Sequence, residues 1–215
     1  MKYRQIIFDI DGTLIDTEYA VLHSLQDTIR TITGAVIPIE KLTFVLGITG
    51  TDGLKRLEIE DISGAHALWE ENMRAYTDTI TVFDRIAELL ESLSQLGYRM
   101  GIVTSKTRAE YEEDFCRFAI SRYFDTVVCS DDTTRHKPAP DPLQKYLELS
   151  SAKPSEAIYV GDTAYDRQCA ESADVDFVMA GWGSAAGSLS SGDLLKRPDD
   201  LLPFLQAAEE TLKNR

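Results

Sequence analysis

Five short apolar runs, at 5–8, 99–103, 126–129, 157–160 and 176–179, constrain this chain more than any other feature. Each reads as a buried strand, and helical patterns separate the later ones. Ile86, Leu89, Leu90, Leu93 and Leu96 recur at helical spacing until Gly97 stops them. Further helices are expected at 110–118, 142–149 and 166–172, and a last one at 201–212. Strands alternating with helices predict an α/β fold, a parallel sheet covered on both faces. Such sheets take their ligands beyond the carboxyl ends of the strands.

The interval 17–82 breaks that rhythm. It holds no convincing strand, and 18–31, 39–46, 52–57 and 63–79 all read as helices punctuated by Gly34, Gly47, Gly50, Gly53 and Gly64. Leu22, Leu25, Ile29 and Ile32 form an apolar stripe, and Leu68, Met73 and Tyr76 a looser one. These stripes predict a small helical bundle, inserted straight after the first strand and placed over the strand ends as a lid. The Gly/Ser/Ala stretch 181–192 reads as a mobile loop.

Of the 215 residues, 43% are hydrophobic and 27% charged, as in an ordinary folded protein. The formal net charge of −14 argues against nucleic acid and anionic membranes as partners. It leaves room for a small anionic substrate, because a metal and a local lysine reverse the sign of one pocket. Cys116, Cys129 and Cys169 show no CxxC spacing and read as reduced thiols. Met1-Lys2-Tyr3-Arg4 leads directly into the first strand, with no secretory signal and no bilayer-spanning stretch, so a cytoplasmic location is expected.

The chemistry-bearing residues fall at the ends of four elements. Asp9 and Asp11 close the first apolar run, two residues apart, and strand geometry would point both toward one site. The bland reading of that pair is a strand-to-turn cap. Thr104 and Ser105 end the second run, Lys137 opens Lys137-Pro138-Ala139-Pro140, and Asp162 and Asp166 lie in Gly161-Asp162-Thr163-Ala164-Tyr165-Asp166. A parallel sheet gathers all four clusters into one cleft. They suit phosphoryl transfer: Asp9 as nucleophilic carboxylate, Asp11 as general acid and base, Thr104 and Lys137 as partners of the phosphate oxygens. Asp9, Asp162 and Asp166 offer oxygen ligands to a hard cation, and Mg2+ fits best.

This combination resembles the haloacid dehalogenase superfamily, in particular phosphatases with a helical cap after the first strand. The DxDGT run at Asp9–Thr13, Thr104, Lys137 and the GDxxxD run at 161–166 match the family's four motifs over nearly the whole chain. The resemblance implies a Rossmann-like core at 1–16 and 83–215, a cap at 17–82, and a metal contact from the Asp11 backbone carbonyl. It implies a magnesium-dependent phosphatase for a small phosphorylated metabolite, with phosphoglycolate as first candidate and pyrophosphate also in view. Oligomeric state is not legible. Leu46-Gly47-Ile48-Thr49-Gly50 resembles the cap loop that reaches into the cleft, so Gly47 and Thr49, with Ser105, are expected near substrate. Two departures stand out: Phe83-Asp84-Arg85 replaces a common Pro-Gly at the return from the cap, and Ser105 replaces a common Asn.

Other readings are weaker. A β-phosphoglucomutase-type mutase would carry His where this chain has Val21, and His23 falls on a different helix face. A dehalogenase does not require Asp11. A phosphonate hydrolase would use a cap lysine, Lys41 or Lys55, and would lack the acid at position 11. A non-catalytic binding domain on the same fold conflicts with the full set of carboxylates. His66, His136 and the acidic run 110–114 read as surface, Trp182 as packing, and Asp16 as a turn or helix cap.

Overall fold

Chain positions 5–8 are buried along their whole length because they form the central strand of a parallel sheet with helices on both faces. The computed structural model describes residues 2–183 and 194–213. In chain order the elements are β1 (Gln5–Phe8), β2 (Ile15–Asp16), α1 (Glu18–Thr33), α2 (Gly50–Arg56), α3 (Ile62–Arg74), β3 (Thr81–Val82) and α4 (Ile86–Gln95). They continue with β4 (Arg99–Val103), α5 (Arg108–Glu110), β5 (Phe124–Val128), α6 (Asp141–Ser150), β6 (Ala157–Gly161), α7 (Ala164–Ser172), β7 (Asp176–Ala180), β8 (Leu194–Leu195) and α8 (Leu201–Lys213).

The six-stranded sheet runs β5-β4-β1-β6-β7-β8, every pair parallel. From β1 the chain builds outward through β4 and β5, then returns to the other side of β1 for β6, β7 and β8. The strand order therefore reverses beside β1, and the crevice for a ligand opens at the carboxyl ends of β1 and β6. Alternation along β1 splits the core in two. Ile6 and Phe8 pack with Leu89, Leu90, Leu93, Ile102, Val160 and Leu201 on one face. Ile7 packs with Val103, Leu143, Tyr146, Tyr159 and Cys169 on the other.

The helices between β2 and β3 have a core of their own, built from Leu22, Leu25, Ile29, Leu42, Val45, Leu54 and Ala65. Polar ties reinforce the packing of α3 on α1: Trp69 Nε1 donates to Ser24 Oγ (2.9 Å), Asn72 Nδ2 to Thr28 Oγ1 (2.9 Å) and Tyr76 OH to Asp27 Oδ2 (2.6 Å). The stripe on α1 ends at Ile29, since Ile32 is exposed. The expected helix at 39–46 is two short 3-10 turns, Ile39–Lys41 and Thr43–Val45.

Two short strands escaped the sequence reading. Ile15–Asp16 pairs antiparallel with Thr81–Val82, stitching together the exit to the helical unit and the return from it. At the return, Arg85 holds the left-handed backbone (φ 69°) that glycine takes at low cost. The helix expected at 110–118 is instead α5 followed by a π-turn at Tyr111–Phe115. Of the Gly/Ser/Ala stretch 181–192, positions 184–192 lie outside the described residues. Among the described residues no helix is long and apolar enough to cross a membrane.

Candidate active site

β1 ends at Phe8, and the Asp9 amide still donates to the Val160 carbonyl (2.9 Å), fixing Asp9 at the mouth of the crevice. Beyond it the backbone leaves the strand. The amides of Thr13, Leu14 and Ile15 all donate to the Ile10 carbonyl, and Gly12 turns with φ 74°. Asp9 and Asp11 are thus not successive same-face residues of one strand, as their spacing suggested. Both still line the same cavity.

Asp9 is buried, and its Oδ2 lies 3.0 Å from Lys137 Nζ. Lys137 also donates to Asp166 Oδ1 (2.7 Å) and to the Tyr159 hydroxyl (3.1 Å). Asp162, which follows β6, accepts from Thr13 Oγ1 (3.2 Å). Carboxylate oxygens of Asp9, Asp162 and Asp166 all lie within 4.8 Å of one another, the convergence that the sheet topology requires.

Burial dominates the electrostatics. It pushes Asp9 up from 3.8 to about 7, with Lys137 opposing and Asp166 and Asp11 reinforcing. Burial also drives Asp162 well above the usual carboxylate range, aided by Asp166 and Asp9. Burial disfavours the Lys137 charge, yet the Asp166 and Asp9 carboxylates hold its ammonium above the ordinary value. Three buried acids against one lysine are short of positive charge, which is the condition that a divalent cation relieves.

Asp166 differs from its neighbours. Its Oδ1 accepts from Lys137 and from Tyr159 OH (2.8 Å), and its Oδ2 accepts from the Thr163 amide (3.0 Å) and Thr163 Oγ1 (2.5 Å). Lys137 and the two Thr163 groups donate to this carboxylate outright, and the single Tyr159 hydroxyl proton is shared between it and the Val103 carbonyl (2.9 Å). Asp166 therefore anchors Lys137 and starts α7, while Asp9 and Asp162 keep the open oxygens. Gly12 is part of the same construction: a Cβ there would sit 2.2 Å from Asp162 Oδ2, at a backbone angle side chains rarely adopt. Gly12→Ala is expected to cost about 1–3 kcal/mol of stability and to displace Asp162. Denaturant midpoints and magnesium titration of the variant check both effects.

The remaining expected residues divide. Gly47 and Ser105 line the cavity, and Ser105 Oγ donates to the Gly47 carbonyl (3.0 Å), closing the helical unit onto the sheet. Thr104 is buried at the end of β4, where its Oγ1 accepts the Lys106 amide (3.2 Å). Thr49 is buried at the start of α2, where its hydroxyl accepts the Asp52 amide and donates to Asp52 Oδ2 as a helix cap; neither it nor Thr104 is among the residues lining the cavity.

Sequence reasoning missed Lys106. Its ammonium is buried between Asp11 Oδ1 (3.3 Å) and Asp114 Oδ2 (2.6 Å). The π-turn swings Asp114 inward, so the run 110–114 is not a solvated face throughout. Only Glu112 and Glu113 face out, and Glu113 meets Arg74 of α3 (2.7 Å). Glu110 turns toward the cavity and accepts from the Thr107 amide and hydroxyl (2.6 and 2.9 Å). His66 is a correction: it lines the cavity between Glu70 and Glu110 instead of facing solvent. The pairing of acids and bases across distant segments left no mark in the local sequence. Trp182 Nε1 donates to the Thr13 carbonyl (2.8 Å), and its ring packs on the main core. His136 lies near Asp52 (3.6 Å). Val21 lines the cavity, whereas His23 stacks on Tyr19 outside it.

Comparison with known proteins agrees with this geometry. The chain is 30% identical to the pyrophosphatase PpaX of Bacillus mycoides, over 95% of this chain and 98% of that protein. A crystal structure of a putative phosphoglycolate phosphatase from Lactobacillus plantarum superposes with a TM-score of 0.86 at 29% identity, covering 94% of this chain and 99% of that one. CbbY from Rhodobacter sphaeroides, solved with phosphate, shares the fold at 20% identity and a TM-score of 0.79, over 93% and 96% of the two chains. The family profile of haloacid dehalogenase-like hydrolases matches residues 6–180. With that match spanning most of its length, the chain belongs to the haloacid dehalogenase-like hydrolase family.

Proposed function

We propose that the protein is a magnesium-dependent phosphatase of small phosphomonoesters that works through an aspartyl phosphate. The observation that carries this reading is the meeting of Asp9, Asp162 and Lys137 at the strand ends, with Asp11 across the same cavity. The names of the relatives, a pyrophosphatase and a putative phosphoglycolate phosphatase, supply the reference substrates.

In this reading Asp9, held in orientation by Lys137, attacks phosphorus. The bond to the leaving oxygen breaks, and Asp11 gives that oxygen a proton. Asp11 then takes a proton from water, which attacks the phosphorus of the aspartyl phosphate and releases Asp9. Lys137 balances charge on the nucleophile, and Thr104 is the hydroxyl at the phosphate end of the site. Asp9, Asp162 and the Asp11 carbonyl would hold Mg2+, with Asp166 close by. The ion supplies charge neutralisation for the carboxylates and the phosphoryl oxygens. Residues 17–82 act as a cap on a core of 1–16 and 83–215, excluding bulk water when closed. Val21 lining the cavity, with His23 outside it, favours a phosphatase over a mutase. Lys41 is exposed and Lys55 pairs with Asp52 outside the cavity, which disfavours Schiff-base chemistry. A cytoplasmic site of action suits the free cysteines.

Release of inorganic phosphate from an aryl phosphate, abolished by chelator and restored by magnesium, tests the activity. A second test uses stability. Folded Asp9 titrates near 7 and unfolded Asp near 3.8, so between those values the folded state holds more protons. Stability of the metal-free protein therefore falls as pH rises through that window. Magnesium needs the ionised carboxylates: at pH 8 a hundredfold excess over Kd should stabilise by about 2.7 kcal/mol, and the same magnesium concentration should stabilise less at pH 5. Thermal unfolding with magnesium or chelator reads this shift, and Asp162→Asn should remove it.

A further inference from the structure

The cavity, of about 200 Å³, is lined by Asp9 and Asp162 at the strand ends and by residues of the helical unit. Away from the metal-facing acids its lining carries five carboxylates and two permanent cations. Both cations are already paired, Arg74 with Glu113 and Lys106 with Asp114 and Asp11. Among the described residues no lysine or arginine nitrogen lies within ion-pair distance of Glu18, Glu70 or Glu110. Glu70 and Glu110 flank His66 at 3.5 and 3.8 Å, and the three side chains lie within 4.8 Å of one another. Glu18 lines the same cavity. A carboxylate in a cavity wall with no lysine or arginine paired to it is complementary to a donor on the ligand. Trp69 and Met73 supply an apolar wall beside these acceptors.

A second phosphoryl group or a carboxylate placed there would meet like charge, because both lining cations among the described residues are already held by carboxylates. Resting on the phosphatase reading above, we infer that the leaving group is a small alcohol bearing ammonium or hydroxyl donors and no second anion. This sets the chain apart from what the names of its relatives suggest, since glycolate and phosphate are both anionic leaving groups. Glu18 and Glu70 of the helical unit, with Glu110 of the core, are the specificity-determining acceptors.

The test uses three esters with the same two-carbon frame: 2-aminoethyl phosphate, 2-hydroxyethyl phosphate and phosphoglycolate. Pyrophosphate and an aryl phosphate are run beside them at fixed magnesium. The amino and hydroxy esters should exceed phosphoglycolate and pyrophosphate in kcat/KM on the order of tenfold or more, chiefly through KM. Glu70→Gln, and the double variant with Glu18→Gln, should shrink that ratio at unchanged Tm. The single variant loses the His66 contact and a longer-range charge interaction with Arg74, so it keeps the test open if the double variant folds poorly. Preference of the wild type for phosphoglycolate or pyrophosphate would overturn the inference. So would an unchanged ratio in the folded single variant. Turnover of the aryl phosphate with none of the two-carbon esters would overturn it and leave the phosphatase standing. Failure of every substrate would remove the phosphatase reading itself and this inference with it.

Discussion

Asp9→Asn is expected to abolish turnover, lowering kcat on the order of 10⁶-fold, as loss of a covalent nucleophile does in other hydrolases. The reason is specific to the site. An amide cannot attack phosphorus as a carboxylate does, and among the described residues the neighbouring carboxylates are already engaged. Asp11 is paired with Lys106, Asp166 is held by Lys137 and Thr163, and Asp162 accepts from Thr13 Oγ1. The fold should survive, because the substitution removes a buried charge whose ionisation burial already opposes. Phosphate-release kinetics and thermal unfolding of the same preparation separate the two effects. A variant that retained even a hundredth of wild-type kcat would take the nucleophile's role away from Asp9.

Lys137→Ala should produce the largest loss of stability. It leaves Asp9 and Asp166 buried without their cation, and breaking a buried charge pair on one side costs about 3–5 kcal/mol. Tyr159 and Thr163 still donate to Asp166, so the penalty falls mainly on Asp9. Without the lysine, Asp9 titrates higher still. The folded state then holds its extra proton to higher pH, and stability falls further as pH rises. The variant should therefore lose more relative to wild type at pH 8 than at pH 5. Denaturant midpoints at the two pH values in chelator measure this. An equal loss at both would mean that Lys137 acts through packing and not through charge.

Much of the fold was legible because buried strands and amphipathic helices write their periods into the local sequence. The central runs at 5–8 and 99–103 match the strands residue for residue, and the run at 157–160 lies within its strand. The two-residue strands at Ile15–Asp16 and Thr81–Val82 were not legible, since each exists only by pairing with the other. The same divide runs through the site. Asp9, Lys137 and Asp162 follow strands whose ends a parallel sheet must bring together, so their meeting follows from chain order alone. Asp114 looked like one more acid on a wet helix, and nothing in the local sequence marked Lys106. Only the π-turn and the closing wall of the helical unit bury them against each other.

What the sequence by itself determined is the strand-end side of the cleft: continuous apolar runs mark the strands buried on both faces, and the strands set where the acids emerge. What only the tertiary structure decided is the other end. There His66, Glu70, Glu110 and the Lys106–Asp114 pair face one cavity from segments far apart in the chain. Their charges are balanced or left unbalanced by neighbours that no local pattern specifies. Burial and pairing are properties of the packed molecule, and it is these that fix which acids are neutralised and which remain to meet a ligand.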